Sequence, residues 1–248
     1  MIVYPNAKIN LGLNVLRKRE DGYHDISSVF YPVKECVDIL EIIKSERFEF
    51  TRSGIEISDG ENLCEKAWKL LDTDFGIGNV KIHLHKQIAI GAGLGGGSAD
   101  ASFTLKVLNE LFDLKLTNKD LETYALQLGA DCPFFIDNTP RLVEGIGEKM
   151  TSIDLDLSEY NIRLINSGIH ISTEEAYREV VPKTPKKSIE KLIKLDVKEW
   201  KNKLKNDFED SVFAKYPQLE KIKEELYNNG AIYASMSGSG SALYSFNS

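Results

Sequence analysis

Residues 91–98 read GAGLGGGS, five glycines in eight positions between the apolar stretch KIHLHKQIAI and the run ADASFTLKVLNELF. A strand-to-helix turn needs only one or two positive φ angles. Each further glycine costs about 0.5–1 kcal/mol relative to alanine through unfolded-chain entropy. Three chemistries use a loop this bare. Gly91, Gly93 and Gly96 satisfy GxGxxG, the dinucleotide fingerprint, but that fingerprint normally follows the first strand of a βαβ series, whereas this one follows some ninety residues of strand-rich sequence. A P-loop of the form GxxxxGK[ST] would place a lysine at Gly97, so its essential cation is missing. What remains is a cradle of backbone N–H groups around a polyphosphate, backed by the positive end of a helix expected over Ala99–Phe112, with the Ser98 hydroxyl offered to a phosphate or to Mg²⁺. Positive charge must then come from elsewhere in the chain.

Other chemistry-bearing residues are ambiguous taken alone. Lys8 lies on the strand parity opposite to Ile9, Leu11 and Leu13, where a solvated lysine is ordinary. Asp131 sits in a loop between Gly129 and Pro133, a place for turn chemistry or for a catalytic carboxylate. His83 and His85 share one face of the strand KIHLHK with no third ligand nearby, which favours outward-facing histidines over a metal pair. Cys36, Cys64 and Cys132 are widely spaced, forming neither a disulfide framework nor a zinc knuckle, and read as reduced core thiols.

Two lobes are expected to position these groups, an ATP-binding lobe over residues 1–155 and a second over 156–248. The first is strand-rich through AKINLGLNVL, VDILEII, FEFTRSGIEIS and VKIHLHKQI, with helical spacing in ENLCEKAWKLL and NKDLETYALQL, the latter stopping at Gly129. The second opens with the strand IRLIN, then a helix with Ser172 and Glu175 at capping-box spacing. It closes with helices around LKNDFEDSVF and PQLEKIKEELYNN and the hairpin AIYASM–SGSG–SALYSF. The mixture is α+β. Apolar residues make up 42% and charged residues 28% of 248, an ordinary globular composition, and a net charge of −7 opposes general attraction to nucleic acid or anionic membranes. No stretch approaches a membrane span and the N-terminus lacks signal-peptide order, so a cytoplasmic protein is expected.

The loop AIGAGLGGGSA resembles the ATP loop of the GHMP small-molecule kinases, PxxxGLGGGSS, with Ala89 in place of the usual proline and Ala99 in place of the second serine. AKINLGLNVLRKREDGYHDISSVF, LGADCPFF and MSGSGSALY narrow the likeness to a branch acting on a cytidine diphosphate substrate, and EGIGE, ISTEEAY and NDFE extend it through most of the chain. The resemblance implies a two-lobed fold, with an N-terminal lobe like ribosomal protein S5, a ferredoxin-like α/β C-terminal lobe and an active site in the cleft between them. It implies transfer of the ATP γ-phosphoryl group, with Mg²⁺, to a hydroxyl of cytidylated methylerythritol, a step towards isoprenoid precursors, by a monomer or weak dimer. By matching position it makes Lys8 and Asp131 catalytic. It places ATP on Ala89, Ile90, Gly91, Ala92, Gly93, Leu94, Gly95, Gly96, Gly97, Ser98 and Ala99, with Ser98 as metal ligand. It assigns Asn10, Tyr23, His24, Phe30, Gly238, Ser239 and Gly240 to the acceptor, with the rings of Tyr23 and Phe30 expected around the cytosine and His24 reading its edge.

Overall fold

The computed structural model describes residues 1–57 and 60–247. In chain order the elements are β1 (Ile2–Val3), β2 (Asn6–Lys18), β3 (His24–Val37), β4 (Ile39–Lys44), β5 (Glu49–Gly54), α1 (Leu63–Phe75), β6 (Val80–Lys86), α2 (Gly96–Leu111), α3 (Asn118–Leu128), α4 (Phe134–Asp137), β7 (Arg141–Gly145), β8 (Lys149–Ser152), β9 (Asn161–Ile165), α5 (Thr173–Glu179), α6 (Ile189–Leu192), α7 (Glu209–Lys215), α8 (Pro217–Asn228), β10 (Tyr233–Met236) and β11 (Leu243–Asn247). FEFTRSGIEIS yields a strand only over Glu49–Gly54, and its last residue, Ser58, lies outside the described residues. No helix among the described residues is long and apolar enough to cross a membrane.

The chain forms two compact units that interleave in sequence and do not follow a linear boundary near residue 155. The first comprises Met1–Ala7, Pro32–Ile90 and Gly95–Thr139; the second comprises Lys8–Tyr31, Gly91–Leu94 and Pro140–Ser248.

In the first unit the sheet order is β1-β4-β6-β5, with β5 and β6 parallel. Alternation along β4 and β6 turns Leu40, Ile42, Ile82 and Leu84 to one face, where they pack with Cys64, Ala67 and Leu71 of α1 and Leu105 and Leu108 of α2. Capping boxes start α1 (Asn62 with Glu65) and α3 (Thr117 with Asp120). Helix α3 stops at Gly129 as expected, yet Gly129 is extended (φ 167°), so its cap does not require glycine. His83 and His85 face outward. Thr51 and Ser53 hydroxyls approach both ring nitrogens of His83 at 2.8 and 3.0 Å, and Ser53 approaches Nδ1 of His85 at 2.9 Å. Cys64 and Cys132 are buried free thiols, whereas Cys36 is half-buried. Burial pushes the Cys132 thiol up to about 11, leaving it protonated and unreactive at neutral pH.

The second unit holds a sheet ordered β2-β3-β7-β8 and a second ordered β10-β11-β9. Leu13, Val15 and Ile26 pack with Phe208, Val212, Leu219, Met236 and Leu243. Trp200, Tyr233 and Phe246 add edge-to-face aromatic contacts.

Helix α2 begins at Gly96, three residues earlier than the apolar spacing predicts, so Gly96, Gly97 and Ser98 form its first turn. This resolves the glycine density. Gly91, Gly93 and Gly95 have φ of 64°, 78° and 69°, a region other residues avoid. Gly96 is required by space, because a Cβ there would lie 2.8 Å from Lys86 Nζ and 2.9 Å from Ile88 Cγ2. At Gly97 a Cβ would meet only Leu63 Cδ1, at 3.8 Å. Gly97→Ala is therefore expected to raise stability by about 0.5–1 kcal/mol, while Gly93→Ala, whose Cβ would sit 2.0 Å from the Ser237 carbonyl oxygen, lowers it. Urea denaturation of both variants checks the opposite signs.

Candidate functional site

The first unit holds the start of α2 and the turn carrying Asp131. Gly95, the N-cap residue, is left-handed and supplies no side-chain cap, and the first turn contains no acidic residue. The leading N–H groups of a helix have no intrahelical acceptor, so an uncapped first turn presents donors and the positive end of the dipole to an anion. Ser98 stands in that turn. One turn later the buried Ser102 Oγ lies 2.9 Å from the Ser98 carbonyl and 2.7 Å from the Cys132 carbonyl, tying the first turns of α2 to the Ala130–Pro133 segment. Asp131, half-buried between α3 and α4, is thus carried on a turn fastened beside Ser98. Ala89 and Ile90 precede the loop, with Ile90 exposed, and Ala99 is buried in the helix.

The second unit holds Gly91–Leu94, Lys8 and the C-terminal glycine cluster. Three successive loop carbonyls are occupied: Ala92 O accepts from Ala242 N–H (3.1 Å), Gly93 O from the Ser237 hydroxyl (2.8 Å) and Leu94 O from Lys8 N–H (2.9 Å). Three of the four carbonyls of this half are taken by protein donors, which turns them away from any anion the loop meets. Lys8 is 3% exposed, which rules out a solvated strand lysine. Its ammonium donates to Asn10 Oδ1 (2.6 Å) and lies 4.3 Å from the centre of the Phe30 ring. Asn10 is held in turn: its Nδ2 donates to Ser28 Oγ (2.9 Å), its N–H to Ser237 Oγ (3.2 Å), and its carbonyl accepts from the Tyr244 hydroxyl (2.7 Å).

The SGSG segment does join β10 and β11 as a hairpin, but it is more than a turn. Gly238 (φ 57°) comes so close to Gly93 that a Cβ would lie 3.3 Å from Gly93 Cα, and a Cβ on Gly240 (φ 93°) would meet Met236 Sδ at 2.7 Å. Ser239 is half-buried, 3.3 Å from Thr173 Oγ1. Ser237, which sequence reasoning passed over, is the serine that meets the first glycine loop. The NDFE segment supports this cluster. Asn206 Nδ2 donates to the Met236 and Gly238 carbonyls (2.9 and 2.8 Å), and Glu209 accepts from Ser235 Oγ and Met236 N–H.

The aromatic sandwich needs correction. At about 3.3 Å per residue, six steps along the continuous strand β3 carry Phe30 about 20 Å from His24, so Phe30 cannot share one base with Tyr23; it packs beneath Lys8 instead. The ring beside His24 is Tyr177 of α5, stacked at 4.9 Å with a 24° interplanar angle, and Tyr177 abuts Phe208 edge-on. Tyr23 is 61% exposed at the Arg19–Tyr23 turn. Burial, aided by the Lys18 charge, holds the His24 imidazole below the ordinary histidine value of 6.5. Only the position of ISTEEAY hinted at Tyr177, and nothing in its spacing paired it with GYH.

No group of three or more His, Cys, Asp or Glu among the described residues is arranged to hold a metal. A magnesium ion that travels with ATP asks for less, one or two protein oxygens beside phosphate and water. The Ser98 hydroxyl, in the first turn of α2, is an oxygen of the kind such an ion takes.

Asn206→Ala would strand two buried carbonyls at a cost of about 1–3 kcal/mol for each. Ser239→Ala, half-buried with one long contact, is expected to change stability by less than about 0.5 kcal/mol. Urea midpoints of the two variants measure the difference.

Residues 62–138 match the GHMP kinases N terminal domain, and residues 188–246 match GHMP kinases C terminal. A 4-diphosphocytidyl-2-C-methyl-D-erythritol kinase of Azobacteroides pseudotrichonymphae genomovar. CFP2 is 53% identical over 247 residues, covering 98% of this chain and 92% of its own length. One of the same name from Bacteroides fragilis (strain YCH46) is 51% identical over 251 residues, covering 98% and 91%. A crystal structure of 4-(cytidine 5'-diphospho)-2C-methyl-D-erythritol kinase superposes with a TM-score of 0.83 at 30% identity, over 99% of this chain and 89% of that one. The homoserine kinase of Cytophaga hutchinsonii, at 16% identity and a TM-score of 0.67 over 98% of this chain and 84% of its own, shares the fold. With two family domains matched and a relative 53% identical over nearly its whole length, this chain belongs to the GHMP kinases.

Proposed function

We propose that the chain transfers the γ-phosphoryl group of ATP to the 2-hydroxyl of 4-diphosphocytidyl-2-C-methyl-D-erythritol, a step of the methylerythritol phosphate route to isoprenoids. The observation that carries the reading is the uncapped, acid-free first turn of α2 behind a loop in which the Ala92, Gly93 and Leu94 carbonyls are already taken; the relatives' shared name supplies the acceptor. In this reading Gly91–Ser98 hold the triphosphate through peptide N–H groups. Magnesium, when bound with ATP, neutralises charge on the phosphate oxygens, and Ser98 would hold it. Asp131 takes the proton of the acceptor hydroxyl as its oxygen bonds to the γ-phosphorus and the bond to ADP breaks. Lys8, its ammonium oriented by Asn10 and Phe30, supplies the cation that the loop lacks. Phosphoryl transfer asks a protein mainly for positioning and electrostatic stabilisation, and a buried, doubly fixed ammonium provides both.

Purified protein incubated with ATP and Mg²⁺ is expected to release ADP with the cytidylated acceptor and not with mevalonate or homoserine. Turnover of either control in preference to the cytidylated compound would refute the assignment. Lys8→Ala is expected to lower kcat by about 10²–10³ and Asp131→Asn by about 10²–10⁴, with small changes in KM. Near-normal turnover of Asp131→Asn would remove it as the base.

The acceptor's base is read here by Tyr23, His24 and Tyr177. Stacking is worth about 1–3 kcal/mol per base, so Tyr23→Ala and Tyr177→Ala should each raise the acceptor KM about tenfold or more while ATP affinity is unchanged. His24→Ala narrows the preference for cytidine over uridine. Because His24 is neutral above its lowered pKa, the wild-type acceptor KM should stay level through neutral pH and rise only below the ordinary histidine range, a rise that His24→Gln abolishes. Acceptor KM measured against pH for both proteins checks this.

A further inference from the structure

The glycine loop leaves β6 at Lys86 and enters α2 at Gly96, and one buried ion cluster touches both ends. Asp38 lies between β3 and β4. Its Oδ1 accepts the N–H groups of Gln87 and Ile88 at 2.6 and 2.9 Å, and its Oδ2 accepts from Lys86 Nζ. The same ammonium donates to Asp100 Oδ2 at 2.7 Å, in the early turns of α2. Lys86 is 3% exposed, Asp38 0% and Asp100 2%. The ammonium sits directly behind the first helical residue, where a Cβ on Gly96 would come within 2.8 Å of it.

We infer that Lys86 is a positioning residue of the ATP site, an ammonium clamp that holds the strand end and the helix start of the phosphate loop at a fixed separation through Asp38 and Asp100. The inference rests on the kinase reading of that loop. Stability is a poor explanation for the cluster. Two carboxylates and one ammonium in a dry interior carry a large desolvation cost, and apolar replacements of buried ion groups are often neutral or stabilising. The cost is visible here: Asp100 Oδ1 is buried with no hydrogen-bond partner among the described residues. Burial pushes the Asp100 carboxyl up to about 7 in spite of Lys86. What the cluster does provide is geometry, since it joins the two peptide N–H groups before the loop to the helix after it through three side chains with fixed partners. Lys86 touches no phosphate in this account; it acts through the loop.

Asp100→Leu cuts the clamp on the helix side and leaves Lys86 paired with Asp38, so the remaining charges balance; Asp100→Asn retains an acceptor for Lys86. Each is assayed for KM of ATP, KM of the cytidylated acceptor, kcat, urea midpoint, and calorimetric binding of a non-hydrolysable ATP analogue without acceptor. For Asp100→Leu we expect the ATP KM and the analogue Kd to rise tenfold or more with the acceptor KM within twofold, and for Asp100→Asn rescue to within threefold of wild type. Asp100→Ala, smaller and certain to fit, must show the same selective loss should leucine prevent folding. A folded Leu or Ala variant with normal analogue affinity, or with both KM values raised alike, overturns the clamp. Wild-type protein that does not bind the analogue would overturn the kinase reading itself, a result distinct from the selective failure of the clamp.

Discussion

Everything about the site follows from unpaired peptide N–H groups at the start of α2. A helix begins with donors that have no intrahelical acceptor, which a Ser, Thr, Asp or Asn side chain can cover; α1, α3 and α5 are capped in this way, and α4, α6, α7 and α8 lack the cap but carry an acid in the first turn. Helix α2 has neither. Its N-cap is a left-handed glycine and its first turn has no acid. In the proposed reading a phosphate of ATP would supply the missing cap, and phosphoryl transfer would build on that local deficit.

Within the second unit, loop carbonyls are taken up by protein donors. Ala92, Gly93 and Leu94 turn their carbonyls to Ala242, Ser237 and Lys8. Those partners are fixed by a buried polar network through Asn10, Ser28 and Tyr244. Buried polar groups are costly unless fully partnered, and the NDFE segment provides partners for the remaining carbonyls around SGSG. A segment with no chemistry of its own thereby holds a loop that has some.

Local chemistry was legible in the sequence wherever it followed chain order. The glycine run marked an unusual loop, although Gly91, Gly93 and Gly95 answer to positive φ and Gly96 to space, so only Gly97 exceeds the needs of the turn; the parity of Lys8, opposite to Ile9, Leu11 and Leu13, marked a strand position but not its burial. Periodicity located α1, α3 and the closing hairpin. Long-range packing was hidden. Nothing in the spacing distinguished Gly96, required because Lys86 Nζ lies behind it, from Gly97, which has open space. The start of α2 was read three residues late because glycine carries no helical signal even where φ and ψ are helical. Phe30 was misplaced because an extended strand moves a ring away from its neighbours instead of returning it. Tyr177 was invisible because its partner, His24, is more than 150 residues distant in the chain. Serines were underestimated: Ser102 and Ser237 tie segments together across 30 and 144 residues.

Amide hydrogen exchange, resolved by residue, tests the central claim most directly. If the unpaired N–H groups at the glycine loop and the first turn of α2 bind the phosphates, a non-hydrolysable ATP analogue with Mg²⁺ will slow exchange at Gly95, Gly96, Gly97 and Ser98, whereas the cytidylated acceptor alone will not. Unchanged exchange at those four amides in a protein saturated with the analogue would contradict the account.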